Sequence, residues 1–98
     1  MTRVRFHEEA RAELIHEVEF YTNINRKLGE RFDQSVKVAV DLAAQFPEAG
    51  SPHFHGTRRT FTKKFAFSVV YLSFEGEIFV VAVAPDSRRP RYWRSRVG

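Results

Sequence analysis

The chain has 98 residues, 43% of them hydrophobic and none of them cysteine, and it carries a net charge of +4. A chain of this length builds one domain around one core, and without cysteine it has no disulfide, no thiolate zinc site and no cysteine nucleophile. No apolar run approaches the roughly 18 residues of a membrane-spanning helix, so we predict a single cytoplasmic domain over residues 1–98 with no membrane partner.

The first half of the chain predicts one strand and two helices. RVRFH at 3–7 alternates polar and apolar residues, which is typical of a short strand with Val4 and Phe6 on its buried side. Acidic residues then begin a helix over about 8–23, because negative charge is favoured in the first turn. Apolar residues recur at helical spacing again beyond this segment, and they predict a second long helix that Pro47 ends.

The second half predicts a loop followed by strands. PEAGSPHFHGT contains two prolines and two glycines, and RRTFTKKF, FAFSVVYLSF and EIFVVAVA follow it as three strands, the last two joined by a short EG turn. Both faces of these strands are apolar, and two helices can cover only one face. We predict an α+β fold, a two-layer β-α-α-β-β-β arrangement in which an antiparallel sheet packs on a helical hairpin. The second apolar face is a candidate partner surface.

Positive charge is concentrated in the second half of the chain. Residues 1–48 carry a balance of −2, whereas residues 49–98 carry +6. Much of that charge lies in the last fifteen residues, APDSRRPRYWRSRVG (84–98), which we call the tail; it holds five arginines and the only tryptophan. Such a surface attracts an acidic or phosphate-bearing partner. The candidate target-binding residues are Arg88, Arg89, Arg91, Tyr92, Trp93 and Arg94.

The tail residues also have structural interpretations. The simplest role of Trp93 is to anchor the tail on the sheet, since a lone aromatic residue in a terminal element usually buries itself. Pro90 is expected to stiffen the tail. Arg88 and Arg89 either contact the target or pair with acidic residues of the first helix, such as Glu13.

Two further pairs of residues stand out. His53 and His55 have the spacing of one strand face, but no third ligand lies nearby in sequence, so we predict no metal and no cofactor. Lys63 and Lys64 either keep a strand edge from pairing with another chain or contact a target.

In their order along the chain, VRFHEEARAEL, FYTNINRKLGERFDQSV, FP, RRTFTKKFAFSVVY and IFVVAVAPDSRRPRYW resemble the RelE/ParE toxin superfamily of type II toxin–antitoxin systems, in particular its ParE-like plasmid-stabilisation branch. The resemblance covers nearly the whole chain. It implies a four-stranded antiparallel sheet with the first strand beside the last, and a small basic toxin that a cognate antitoxin holds inactive. We expect an acidic, partly helical antitoxin segment to cover the second apolar face and the basic tail.

The superfamily has two chemistries. Its RelE-like members are ribosome-dependent endoribonucleases that cut mRNA with Lys, Arg and Tyr side chains, whereas its ParE-like members bind and poison DNA gyrase. Two arginines of the nuclease branch fall on Ser68 and Asp86 here. The nuclease alternative would use Lys63, Lys64, Arg88 and Tyr92.

This chain also departs from the ParE-like branch, in which a histidine commonly stands at the position of Pro85 and a glycine at that of Arg91. We predict inhibition of gyrase by binding and leave enzymatic activity open, with the ribosome and its mRNA as partners in the nuclease alternative. A third alternative is a basic nucleic-acid-binding module, which would interleave exposed aromatic residues with cations. In the sequence, the strand aromatics are mostly Phe with few cations beside them.

Overall fold

The computed structural model describes residues 2–62, 64–89 and 91–98. The strands and helices are β1 (Arg3–Phe6), α1 (Glu8–Ile24), α2 (Arg26–Gln45), β2 (Ser51–Pro52), β3 (Arg58–Phe61), β4 (Phe67–Phe74) and β5 (Glu77–Pro85), with short 3-10 turns at Phe54–Gly56 and Arg94–Val97. Within these described ranges, neither helix is long and apolar enough to cross a membrane.

The five strands form one mixed sheet in the order β1-β5-β4-β3-β2. The predicted α+β class and the position of the first strand beside the last are confirmed. The prediction of an entirely antiparallel sheet is wrong at β1, which pairs with β5 in parallel. Two successive reversals make β5 run in the direction of β3, and β1 has that same direction. The short β2 lies within the segment predicted as a loop.

Both helices begin at side chains that cap their free N–H groups. Nδ1 of His7 accepts a hydrogen bond from the Glu9 N–H at 3.1 Å, and Oδ1 of Asn25 accepts one from the Lys27 N–H at 2.8 Å. Asn25 also ends α1, because its own N–H donates to the Tyr21 carbonyl. One residue therefore ends one helix and begins the next, which makes the helical hairpin tight.

Gly29 lets the two helices approach closely. A Cβ atom at this buried position would lie 1.9 Å from Oγ1 of Thr22 and 2.9 Å from its Cα. In the sequence Gly29 looks like a weak point of a helix. The structure shows instead that the absence of a side chain brings α2 against α1.

The main core lies between the helices and one face of the sheet. Phe6 packs against this core, but Val4 is 38% exposed, so its predicted burial is wrong. β1 is an edge strand, and its residues are mostly exposed. The buried members of the core are Ala10, Phe32, Val36, Ala39, Val40, Phe67, Val69, Val80 and Val83.

Tyr71 fixes the segment that follows α2. Its buried hydroxyl donates to the Pro47 carbonyl at 2.7 Å and accepts from the Gly50 N–H at 3.2 Å. Burial raises the pKa of Tyr71, so the hydroxyl keeps its proton. This tyrosine has a structural role that holds the α2–β2 connection on the sheet.

Replacing Gly29 with alanine should lower the free energy of unfolding by about 1–3 kcal/mol, because the new methyl group would force α1 and α2 apart. At an exposed helical glycine the same change stabilises by about 1 kcal/mol, so the sign of the effect is decisive. Chemical denaturation measures it. A more stable Gly29→Ala variant would contradict the close approach.

Candidate functional site

The tail crosses the face of the sheet opposite the helices. Trp93 is only 2% exposed and packs against a cluster that includes Val70, Ala82 and Ala84. The predicted anchoring role of Trp93 is therefore confirmed. The sequence suggested that the second apolar face of the sheet is free to bind a partner. The structure shows instead that Tyr92, Trp93 and Val97 of the protein's own tail pack on this face.

A carboxylate on α1 holds the end of the tail in place. Oε2 of Glu13 accepts hydrogen bonds from the Tyr92 hydroxyl at 2.6 Å and from Nη2 of Arg96 at 3.0 Å. Oε1 accepts from Nη1 of Arg96 at 3.0 Å and from the Val83 N–H of β5 at 3.1 Å. We call Glu13, Tyr92 and Arg96 the Glu13 cluster. Its two-pronged arginine contact fixes orientation as well as distance.

The Glu13 cluster is largely shielded from water. The side chains of Arg96 and Glu13 are 9% and 15% exposed. Arg96 also donates to the Val81 carbonyl at 3.1 Å and pairs with Glu9 at 3.3 Å. Sequence reasoning offered Arg88 and Arg89 as partners of Glu13, and the structure assigns that role to Arg96.

A signal in the sequence points to this cluster. Glu13 follows Ala10 by three residues and precedes Leu14, so it belongs to the α1 stripe that packs against the sheet. An acidic side chain on a buried stripe needs a cationic or hydrogen-bonding partner. The pattern does not say which of five tail arginines supplies it.

Tyr92 is committed to this contact. Burial, followed by the hydrogen bond to Glu13 and the charge of Glu13, raises the pKa of Tyr92 well above its usual value. Its hydroxyl stays protonated at neutral pH and is occupied as a donor. Tyr92 is thus a poor candidate for proton transfer to or from a substrate.

A cavity of about 300 Å³ lies between the tail and β3, and we call it the tail pocket. Ser68, Val70 and Ala84 line it from the central strands, where Ser68 pairs with Phe61 on one side and Ala84 on the other. From β3 come Arg59 and Phe61, and His53 lies beside them. The tail contributes Asp86, Arg88, Arg89, Arg91, Tyr92 and Trp93.

The tail pocket gathers most of the predicted target-binding residues, but not all. Arg94 lies instead near His55 and the chain end. Lys64 lines a different groove, beside α2. Lys63 and Pro90 lie outside the described residues. The described members of the proposed nuclease set, Lys64, Arg88 and Tyr92, do not share one pocket.

Sequence reasoning missed Arg59. Its side chain faces the tail pocket, whereas the next residue, Thr60, donates from its hydroxyl to the Ala39 carbonyl of α2. Strand alternation places these neighbours on opposite faces of the sheet. The alternation of residues in RRTF shows that Arg59 and Thr60 face opposite sides of the sheet. It does not show which of them faces the helices, so it could not place Arg59 in the pocket.

The two positions where the nuclease branch has arginine take different places. Ser68 is buried in the tail pocket, and Asp86 lies at its wall. A small hydroxyl and a carboxylate therefore stand where cations would stabilise a phosphorane. These two positions carry no cation, whereas Arg59, Arg88, Arg89 and Arg91 line the same pocket from other positions.

Arg91 adopts a backbone conformation that normally favours glycine. Its φ is +66°, in the left-handed region that glycine adopts at no steric cost. Its guanidinium lies 4.5 Å from the ring centre of Phe54, a cation–π contact that partly offsets the strain. An arginine thus stands at a position whose backbone conformation favours glycine.

The two histidines lie beside the tryptophan anchor. Their ring centres are 5.7 Å (His53) and 6.1 Å (His55) from that of Trp93. Burial, and then the nearby charge of Arg59, lowers the pKa of His53, so its ring is neutral at pH 7. Across residues 2–62, 64–89 and 91–98, no group of three His, Cys, Asp or Glu side chains is arranged to hold a metal ion.

Comparison with known proteins agrees with this architecture. The family model described as the ParE toxin of type II toxin–antitoxin system, parDE, matches residues 4–90. The chain belongs to the ParE toxin family. Its structure resembles a solved chain of the chromosomal ParDE TA system from P. aeruginosa, with a TM-score of 0.73 and 18% identity over 87% of this chain and 96% of that chain.

The identity with that solved ParDE chain is low enough that the likeness concerns the fold alone. No curated protein matches the sequence significantly. The resemblance to the RelE/ParE superfamily that the sequence predicted is confirmed, and the family model makes the chain a member of the ParE toxins of type II toxin–antitoxin systems.

Replacing Glu13 with glutamine should lower the free energy of unfolding by about 3 kcal/mol, because it leaves the largely buried Arg96 charge with only the exposed carboxylate of Glu9. The amide keeps the size of the side chain, so packing is nearly unchanged. Glu19→Gln on the exposed face of the same helix is the matched control. Equal effects of the two substitutions in chemical denaturation would show that the Glu13 cluster does not hold the tail.

Proposed function

We propose that this ParE-family protein inhibits DNA gyrase by binding to it, and that a cognate antitoxin neutralises it. The observation that carries the proposal is the anchored, cationic tail. Arg88, Arg89 and Arg91 are exposed, whereas Trp93 and the Glu13 cluster fix the backbone that bears them. A rigid cationic surface loses little conformational entropy when it binds an acidic target.

Binding is better supported than RNA cleavage. The hydroxyl of Tyr92 is held by Glu13, and two expected cations are replaced by Ser68 and Asp86. Loss of one charge-stabilising group typically reduces the rate of an enzyme by about a hundredfold or more. We therefore infer that the ribosome and its mRNA are not the targets.

The antitoxin needs a surface that the tail leaves open. A groove of about 540 Å³ lies between α2 and the β3 side of the sheet, and we call it the α2 groove. Val38 and Leu42 in this groove are 54% and 46% exposed. Arg31 and Lys64 also line it. Its other apolar residues include Leu28, Phe61 and Phe65.

An amphipathic helix with acidic residues beside its apolar stripe would fit this chemistry. Its apolar side would cover Val38 and Leu42, and its acids would meet Arg31 and Lys64. We infer that the antitoxin binds in the α2 groove rather than on the sheet face that the sequence suggested. Toxin and antitoxin would then form a hetero-oligomer.

The Arg88→Ala/Arg89→Ala double variant should inhibit gyrase supercoiling at least about tenfold less strongly than the parent, since two target contacts are lost. Its melting temperature should stay nearly unchanged, because both side chains are exposed. The Arg26→Ala/Lys27→Ala variant removes the same charge at the helical turn and should inhibit like the parent. Unchanged inhibition by the tail variant, or cleavage of mRNA in a purified translation system, would contradict the proposal.

Leu42→Asp should abolish neutralisation by the antitoxin while toxicity remains, because a carboxylate in the α2 groove repels an acidic apolar segment. Ile15→Asp, at an equally exposed apolar position on α1, should remain neutralised. Co-expression of each variant with the protein encoded beside it, scored by growth of the host, makes the comparison. Full neutralisation of Leu42→Asp would place the antitoxin elsewhere.

A further inference from the structure

The tail pocket is strongly cationic. Arg59, Arg88, Arg89 and Arg91 line it, and Asp86 is the acidic residue among its described lining. Its volume of about 300 Å³ falls within the range of small-molecule sites. The chemical group that suits such a lining is a planar or tetrahedral anion, since guanidinium groups bind both through paired N–H donors.

Three of these arginines are stacked on aromatic rings. The guanidinium carbon lies 4.8 Å from the ring centre of Phe61 for Arg59 and 4.0 Å from that of Tyr92 for Arg88. The guanidinium carbon of Arg91 lies 4.5 Å from the ring centre of Phe54. The linear sequence shows few cations beside its strand aromatics, but the fold brings cations from β3 and the tail next to rings from three different segments.

Phe61 is half exposed, and the Arg59 guanidinium lies over its ring. Its side chain is 53% exposed at the end of β3, and it lines the tail pocket. A base or another flat ring can stack on such a surface, with cations at its edge to hold a phosphate. An acidic peptide supplies the negative charge but has no flat group for the ring.

Arg59 carries an unsatisfied donor at the same place. Its Nε is buried and has no hydrogen-bond partner among the described residues. A buried N–H group without an acceptor is unfavourable, so an acceptor from a ligand would be bound more strongly here than at an exposed arginine. The neutral ring of His53 beside it adds a hydrogen-bonding group without adding like charge.

We propose that the tail pocket binds one nucleotide of a single-stranded nucleic acid, with the phosphate held by Arg59 and the tail arginines and the base stacked on Phe61. The alternation of cations and exposed rings matches the alternation of phosphates and bases along a single strand. A concave pocket with room for one such unit does not admit a base-paired duplex. This activity goes beyond the binding of gyrase and does not depend on which protein is the target.

Fluorescence polarisation of labelled oligothymidylate and oligouridylate of about ten nucleotides tests the proposal. Binding of either strand supports it, and the comparison of the two shows whether DNA, RNA or both are accepted. Arg59→Gln should weaken binding by about tenfold. Arg26→Gln, which removes the same charge from α2, should change it by less than about twofold.

The base-stacking step has its own probes. Phe61→Leu keeps an apolar side chain but removes the flat ring, and it should weaken binding by about fivefold or more. Ser68→Met narrows the tail pocket without changing charge and should also weaken binding. A melting curve for each variant establishes that it is folded.

Two competitors decide between nucleic acid and other anions. An abasic oligonucleotide and an oligoglutamate peptide of matching charge should each compete much less well than oligothymidylate. Equal competition by the peptide would assign the pocket to an acidic protein segment, and no effect of Arg59→Gln would also overturn the proposal. Gyrase inhibition is measured separately, so a protein that inhibits gyrase but binds no oligonucleotide fails only this inference.

Discussion

The structure depends on one carboxylate that is largely shielded from water. Glu13 lies on the side of α1 that packs against the sheet, where an ionised group without partners would be strongly unfavourable. Arg96, Tyr92 and the N–H of Val83 satisfy it together. Because Arg96 lies 83 residues further along the chain, this requirement brings the tail back across the sheet. A buried ion pair often adds little net stability over an apolar pair, but it specifies one position for the tail.

The functional surface follows from that position. Arg96 lies at Glu13 and Trp93 against the sheet, and Arg88, Arg89 and Arg91 line the tail pocket together with β3. Small residues at Ser68 and Ala84 leave space beneath them, where a larger side chain would fill the tail pocket. Ser68, where the resemblance to the nuclease branch leads one to expect an arginine, thus leaves room for the tail pocket.

The proposed antitoxin and nucleotide surfaces meet at one residue. Phe61 lines both the α2 groove and the tail pocket, since it stands at the end of β3 between them. An antitoxin segment that covered Phe61 from the groove would restrict the ring on which a base is proposed to stack. Neutralisation and nucleotide binding would then be coupled through a single exposed side chain.

Local features of the fold were predictable from sequence, and long-range ones were not. Helix limits follow from apolar spacing and Pro47, and the burial of Trp93 follows from its chemistry. The parallel direction of β1 depends on how many times the chain reverses before β5, which no local pattern records. The partnership of Glu13 with Arg96, the close approach at Gly29 and the pocket-facing side of Arg59 each require a contact between distant segments. The site was thus predicted as a set of tail cations anchored by Trp93, without the Glu13 cluster or the β3 wall of the tail pocket.

The central claim is that the tail is a fixed surface rather than a flexible cationic arm. Backbone ¹⁵N relaxation of the protein alone measures this directly, through the order parameters of the Tyr92, Trp93 and Arg96 amides. A tail held by the Glu13 cluster should give order parameters of about 0.85, as in the strands. Values below about 0.6 at these three amides, with rigid strands in the same sample, would show a mobile tail and contradict the account.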